Sequence, residues 1–267
     1  MNCAFLNILT TMNDLYGSHN CPFSFGIDLI SWDELGNENI HRFKKINMIP
    51  DEEILGNGMS VHEIINADFK IDEFNGISLK DGLTEIYNIL KKLNDTETYL
   101  IGYGLLNFDL KVLNEHFERV LNKQKIEYNS NFIIDVETIA KKCCDVSYCG
   151  NYSLKSVLAT YTNFNIYHRL TDKTKTNYGN INATRYMLYN FIKFYDIGQL
   201  PSDIVKFINE PQDIKVFQMG KYKGAPIEEI FNKDKQYFSW ILKNKHFYEN
   251  DKDLLVKVQN LMNLEEK

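Results

Sequence analysis

The hydrophobic pattern of the chain alternates between short apolar runs and longer amphipathic stretches. The short runs are rich in β-branched and aromatic residues, which favours strands. They lie at 4–9, 23–32, 41–50, 98–105 and 131–136. The longer stretches repeat apolar residues at helical spacing, and they lie at 79–93, 108–123, 153–162 and 182–195. This alternation predicts an α/β domain in which helices flank a sheet.

Two polar residues stand where helices are predicted to begin. Asn182 opens the helix at 182–195, and Asp109 opens the helix at 109–122. Both residue types favour the N-cap position, because the side-chain oxygen accepts a hydrogen bond from a backbone N–H of the first turn. The sequence therefore predicts a capping role for each residue.

The segment 198–212 interrupts the regular pattern. It contains Pro201 and Pro211, which predicts a linker that carries a short helix. The linker would separate a domain at 1–197 from a small module at 213–267. The aromatic residues of the module can form a core of their own; they are Phe217, Tyr222, Tyr237 and Trp240.

The composition favours a folded protein without a membrane span. Hydrophobic residues make up 44% of the 267 positions, and no apolar run approaches the roughly 18 residues of a transmembrane helix. In a signal peptide, basic residues precede the apolar run. No basic residue precedes the first apolar run of this sequence. We expect a cytoplasmic protein with no membrane partner. A phage-encoded protein in the cytoplasm of its host would also meet this expectation.

Five cysteines form an odd set without a CxxC pair. A zinc site would need about four ligands, and the available set is Cys143, Cys144, Cys149 and His168. Buried free thiols in a reducing compartment are the favoured interpretation.

The net charge of −6 is unevenly distributed. Residues 211–267 carry ten Lys/Arg against nine Asp/Glu, whereas residues 1–210 carry 20 against 27. Attraction to nucleic-acid phosphates would therefore be local. One basic stretch lies at 168–175, which we predict to be a loop.

Three stretches of the first domain follow a recognisable order. Residues 5–11 read Phe-Leu-Asn-Ile-Leu-Thr-Thr, a strand at 98–105 leads into Asn107-Phe108-Asp109, and Asn182 is followed by Ala. These stretches resemble Phe-x-Asp-x-Glu-Thr-Thr, Asn-x-x-Phe-Asp and Asp-Ala of the DEDD superfamily of 3′→5′ exonucleases. The resemblance implies a ribonuclease-H-like exonuclease fold, which is a mixed sheet flanked by helices.

The third motif of that superfamily carries a histidine before its aspartate. Aligning Asn182 with the aspartate puts Asn177 at the histidine position. A second alignment places His168 at the histidine position and Asp172 at the aspartate position. This second alignment remains an open alternative.

The C-terminal part has the most specific pattern. Residues 217–227 read Phe-Gln-Met-Gly-Lys-Tyr-Lys-Gly-Ala-Pro-Ile, and Tyr237 and Trp240 follow. This pattern resembles the C-terminal module of exodeoxyribonuclease X-like proteins.

The resemblance places four acidic metal ligands at positions that are mostly not acidic here. These positions hold Asn7, Leu9, Asp109 and Asn182. Two-metal phosphodiester cleavage needs carboxylates around two Mg²⁺ ions, and an amide or alkyl side chain supplies no charge. Asn177 also removes the general base that the histidine would provide. We therefore predict no catalytic residues, no cofactor, and at most one weakly held ion at Asp109.

Nucleic-acid contacts are predicted in three places. The candidate residues are Thr10, Thr11, Asn107 and Phe108 beside the former metal site, Arg169, Lys173 and Lys175 in the 168–175 loop, and Lys221, Tyr222 and Lys223 in the C-terminal turn. Lysines with a tyrosine between them suit phosphate contact and base stacking.

The favoured function is that of an inactive exonuclease-fold protein that binds nucleic acid, with a single-stranded DNA end as the expected ligand. One alternative is an active Mg²⁺- or Mn²⁺-dependent 3′→5′ exodeoxyribonuclease that uses Asp28, Asp109 and Asp172. The other is a non-enzymatic interaction or structural protein, for instance of a phage. A protein partner of the C-terminal module is left open.

Overall fold

A computed structural model of the chain describes most of its residues. The described residues are 2–10, 21–33, 38–49, 76–144, 146–162, 164–171, 176–210, 217, 220–248 and 252–265. The chain divides into two compact units, Met1–Ile208 and Asn209–Lys267, and the division falls within the predicted linker. No described helix is both long and apolar enough to cross a membrane.

The first unit contains a mixed six-stranded sheet. Its strands are β1 (Asn2–Thr10), β2 (Pro22–Trp32), β3 (Glu38–Ile49), β4 (Ile77–Ser78), β5 (Tyr99–Gly102) and β6 (Ile133–Asp135), in the order β4-β3-β2-β1-β5-β6. Strand β2 is antiparallel to β1 and β3, whereas β5 is parallel to β1 and β6 is parallel to β5. The predicted mixed α/β sheet is confirmed.

Helices cover both faces of this sheet. They are α1 (Leu79–Asp95), α2 (Leu110–Leu121), α3 (Val136–Cys143), α4 (Val146–Cys149), α5 (Leu154–Tyr161), α6 (Phe164–Thr171), α7 (Asn177–Phe194) and α8 (Pro201–Asn209). Side chains alternate between the two faces of a strand. In β1, Leu6 and Ile8 therefore join the core under α1 and α2, while Cys3 and Phe5 join the core under α7.

Helix α1 illustrates how local sequence defines an element. Ser78 caps it by accepting a hydrogen bond from the Asp81 backbone N–H at 3.1 Å. Leu83, Ile86 and Leu90 recur at helical spacing and are fully buried. The predicted helix at 79–93 is therefore present and extends to Asp95.

Two boundaries differ from the sequence prediction. Helix α7 begins at Asn177 rather than at Asn182, because the Thr176 hydroxyl caps it by accepting a hydrogen bond from the Gly179 N–H at 3.1 Å. The predicted capping role of Asn182 is therefore wrong. Residues 168–171, predicted as loop, form the last turn of α6.

The second unit is a small helical module. It contains α9 (Ile227–Lys233), α10 (Lys235–Lys243) and α11 (Lys252–Glu265), with a 3₁₀ turn at Lys245–Tyr248 between the last two. In the turn that precedes α9, the Phe217 N–H donates to Ala225 O at 3.0 Å, and the Gly224 N–H donates to Phe217 O at 2.7 Å. The core includes Phe217 and Tyr237 as predicted, but Trp240 is 44% exposed, so its predicted core position is wrong.

Candidate functional site

A buried asparagine connects α7 to the two central strands. Asn177 Nδ2 donates to Asn7 O at 3.0 Å and lies 3.3 Å from both Asn7 Oδ1 and Ser24 O. Ser24 Oγ donates to Asn177 Oδ1 at 2.7 Å. From the next turn of the helix, Asn180 Nδ2 donates to Asn7 Oδ1 at 3.2 Å. Neutral amides and a hydroxyl thus satisfy one another around Asn7.

The approach of α7 to the sheet requires a glycine in β2. Gly26 pairs with Asn7 in the strand register. A Cβ atom at position 26 would overlap the Cβ of Asn177. The absence of a side chain at Gly26 therefore lets the first turn of α7 lie directly on the sheet.

Further along α7, an arginine binds a buried aspartate. The Arg185 guanidinium forms an ion pair with Asp28 Oδ2 at 2.5 Å, donates to Asn182 Oδ1 at 3.0 Å, and lies 4.6 Å from the centroid of the Phe5 ring. Asp28 is 2% exposed. The cation that pairs with the Asp28 carboxylate is therefore a side chain of the protein, Arg185.

Asp109 lies next to the middle of β1. It closes a π-helical turn, Leu105–Asp109, and its side chain does not cap α2, so the predicted N-cap role is wrong. The carboxylate instead accepts a hydrogen bond from the Ile8 N–H, and its Oδ2 is buried without a hydrogen-bond partner among the described residues. Burial raises the pKa of Asp109 well above its ordinary value, and the nearby Asp135 raises it further.

Asp135 holds the turn that leads to Asp109. Its carboxylate accepts hydrogen bonds from the backbone N–H groups of Gly104 at 2.9 Å, Leu106 at 3.0 Å and Glu137 at 3.0 Å. Burial raises the pKa of Asp135, although these three donors act in the opposite direction. Because its oxygens face backbone donors, Asp135 has a structural role in this arrangement.

The structure therefore brings Asp109, Asn177, Asn180 and Leu9 around one stretch of β1, while Asn182 turns to Arg185. Leu9 is buried beside Ser24, its partner in the strand register. These side chains do not fit a pair of Mg²⁺ ions, which prefer anionic oxygens in octahedral geometry. Among the residues that the structure describes, no group of three or more His, Cys, Asp or Glu side chains could hold a metal ion.

The remaining predicted residues of the first unit are dispersed. Thr10 is buried at the end of β1, Phe108 is partly buried against the core, and Asn107 and Arg169 are exposed. Thr11, Asp172, Lys173 and Lys175 lie outside the described residues. All five cysteines are thiols rather than disulfides, and Cys143 is half-buried whereas the others are buried.

In the C-terminal turn, an acidic residue engages two of the three predicted contacts. Asp234 Oδ2 accepts a hydrogen bond from the Tyr222 hydroxyl at 2.6 Å and forms an ion pair with Lys221 Nζ at 3.0 Å. Lys221 Nζ also lies 4.6 Å from the centroid of the Tyr222 ring. Lys223 is exposed. Two of the three side chains thus bind Asp234.

The sequence analysis missed a basic and aromatic surface on β3. Phe43 and Tyr178 are exposed and meet edge to face, with ring centroids 5.1 Å apart. Lys45 lies on the same face of β3 as Phe43, and burial lowers its pKa. Lys44 points to the opposite face and pairs with Glu85. The available signal was a phenylalanine between basic residues in the stretch His-Arg-Phe-Lys-Lys.

Lys45 is adjacent to the polar network around Asn177. It pairs with Gly26 in the register of β2 and β3, and it precedes Asn47 by two positions on the same face. Asn47 Oδ1 lies 2.9 Å from Ser24 Oγ. The residues Phe43, Tyr178 and Lys45 are called the β3 surface below.

The sheet order, with helices on both faces, matches the fold of solved exonuclease structures. In addition, residues 217–246 match the family model described as exodeoxyribonuclease X-like C-terminal. A search of curated protein sequences found no significant match.

Solved structures of exonuclease I share this fold. Escherichia coli exonuclease I in complex with a dA16 oligonucleotide has a TM-score of 0.55 and 12% identity over 79% of this chain and 44% of that chain. A zinc-bound form of the E. coli enzyme with single-stranded DNA has a TM-score of 0.54 and 13% identity, covering 74% and 41%. A product-bound exonuclease I has a TM-score of 0.54 and 11% identity, covering 77% and 45%. The chain thus spans less than half the length of these proteins.

Proposed function

We propose that the protein uses an exonuclease fold to bind single-stranded DNA without cleaving it. The observation that carries this proposal is the polar network at Asn7. Its oxygens belong to amides, backbone and a hydroxyl, and Asn177 and Asn180 occupy the hydrogen-bonding positions around it. Such a set lacks the anionic charge that two dications require.

The two carboxylates near β1 do not replace the missing charge. Arg185 neutralises Asp28 through the ion pair. Burial favours the protonated form of Asp109, because charged carboxylates are poorly solvated inside a protein. An active site built on Asp28 and Asp109 would have to displace Arg185 and ionise Asp109, and this supports an inactive protein.

The β3 surface supports DNA binding. Lys45 has no ion-pair partner among the described residues, and the exposed Phe43–Tyr178 pair offers ring surface beside it. A cation next to exposed rings suits a single strand, whose phosphates and unpaired bases are both accessible. The single-stranded DNA in the complexes of exonuclease I is consistent with this ligand class.

Fluorescence anisotropy with a labelled oligo-dT strand tests this proposal. We expect binding to persist in EDTA, because no metal ion mediates it. Lys45→Gln should lower the salt slope by about 0.7 for each phosphate that the lysine neutralises on a single strand. Lys44→Gln is the matched control, since its side chain lies on the opposite face. Absence of binding, or binding that requires Mg²⁺, would contradict the proposal.

A further inference from the structure

Three aromatic rings of the second unit form a stack that leads from its core to solvent. Tyr237 is buried, and its ring lies 5.9 Å from that of Trp240 at an interplanar angle of 10°. The Phe247 ring continues the stack 6.2 Å beyond Trp240 at an angle of 12°. We call these three residues the aromatic ladder.

Local structure explains how the ladder forms. Tyr237 and Trp240 are three residues apart in α10, so they share one face of the helix. Phe247 belongs to the following 3₁₀ turn, where Asn244 Nδ2 donates to Trp240 O at 2.8 Å and the Phe247 N–H donates to Asn244 O at 3.0 Å. This turn brings Phe247 back over Trp240.

The outer part of the ladder is accessible. Trp240 is 44% exposed and Phe247 is 60% exposed. A module of this size has little apolar surface to spare, since small domains bury a smaller fraction of their surface. Two large aromatic rings outside its core therefore indicate an interaction surface.

The charge of the segment that carries the ladder favours a polyanion over an apolar protein surface. Residues 235–248 contain three lysines and one histidine, and no acidic residue. Lys243, Lys245 and His246 are exposed, and the His246 ring lies 4.1 Å from the Phe247 ring. Flat rings beside cations match the stacked bases and phosphates of a single strand.

The ladder differs from the Lys221–Tyr222 turn in the same unit. There the Tyr222 hydroxyl and Lys221 Nζ are bound to Asp234. A nucleic-acid strand would have to compete with that carboxylate for both groups. By contrast, the segment that carries the ladder, 235–248, contains no acidic residue, and its Lys243 and Lys245 are exposed.

We infer that the aromatic ladder is a base-stacking site for single-stranded nucleic acid, with Phe247 as the outer contact and Lys243 and Lys245 as phosphate contacts. The inference rests on the proposed function and assigns part of the binding to the second unit. Stacking of one base on an aromatic ring is worth ~1–3 kcal/mol of binding free energy. The loss of one stacking contact should therefore lower the affinity substantially.

Intrinsic fluorescence of the full chain gives a local readout. The chain has two tryptophans, of which Trp32 is buried in the first unit and Trp240 belongs to the ladder. We expect an oligo-dT strand to quench the emission of Trp240, and an abasic strand of equal length to do so much less. Trp240→Phe should abolish the quenching while it keeps a stacking ring.

Affinity measured by anisotropy completes the test. Phe247→Leu should weaken oligo-dT binding about 5-fold or more. Phe194→Leu is the matched control, because Phe194 is 63% exposed in the first unit. Binding with no change in Trp240 emission and no effect of Phe247→Leu would overturn the inference and leave the proposed function intact. Absence of any binding would overturn both.

The same experiment distinguishes DNA binding at the ladder from binding of a second copy of the chain there. Self-association through the ladder would shift Trp240 emission as the protein concentration rises, without any DNA. That outcome, combined with no quenching by oligo-dT, would overturn the inference.

Discussion

The polar network of the first unit and the aromatic ladder of the second unit differ in how much side-chain surface is available to a ligand. The side chains of the network form hydrogen bonds with one another, and they are Asn7, Ser24, Asn177 and Asn180. In the ladder, Trp240 and Phe247 keep much of their surface exposed. Polar side chains that bind one another stabilise the fold, whereas exposed rings keep surface that a ligand can contact.

The largest effect is expected at the buried ion pair of the first unit. Arg185→Met leaves Asp28 buried without its cation and should destabilise the unit by about 3–5 kcal/mol. Urea unfolding in a Trp240→Phe background would measure this, because Trp32 then reports the first unit alone. The double variant Asp28→Asn/Arg185→Met should recover most of the loss. A small effect of Arg185→Met would show that the pair does not stabilise this face.

The next effect tests whether the network is structural. Asn177→Ala removes the amide that binds Asn7 and Ser24 and should cost about 2–3 kcal/mol, because it leaves buried polar groups unsatisfied. Asn190→Ala is the control on the same helix, since its side chain donates to Tyr186 O within α7. It should change stability by less than about 0.5 kcal/mol. Equal effects of the two variants would argue against a structural network.

Sequence reasoning succeeded where the pattern is local and failed where the interacting residues are far apart in the chain. The apolar spacing of α1 predicts that helix without reference to the rest of the chain. Asn180 was missed because its hydrogen bond with Asn7 joins residues 173 positions apart. The small size of the module predicts a core position for Trp240, but only the packing of the module decides which ring is buried.

A smaller effect concerns Asp109 and pH. Its folded-state pKa is raised above the ordinary value of 3.8, so the native state holds a proton that the unfolded chain releases as pH rises. Stability therefore falls with increasing pH above about 4. Asp109→Asn should avoid this loss and stabilise the first unit by on the order of 1 kcal/mol at pH 7. Urea unfolding at pH 4 and pH 7 would check it; an equal effect at both values would contradict the assignment.

The smallest effect distinguishes the two lysines of the C-terminal turn. Replacing Lys221 and Lys223 together by Ala should weaken single-strand binding and lower its salt slope, by about 0.7 for each phosphate that is no longer neutralised. Because Lys221 pairs with Asp234, most of the change should come from Lys223→Ala alone. Salt titrations of the single variants would measure this, and a larger effect of Lys221→Ala would contradict it.

The most direct test of the central claim is a cleavage assay on 3′-labelled single-stranded DNA in Mg²⁺ and in Mn²⁺. We predict that the strand is bound and stays intact in both, because the amides around Asn7 supply no anionic charge to metal ions. Asp109→Ala should leave the binding nearly unchanged. Metal-dependent release of mononucleotides that Asp109→Ala abolishes would contradict the account, because it would identify Asp109 as part of a working metal site.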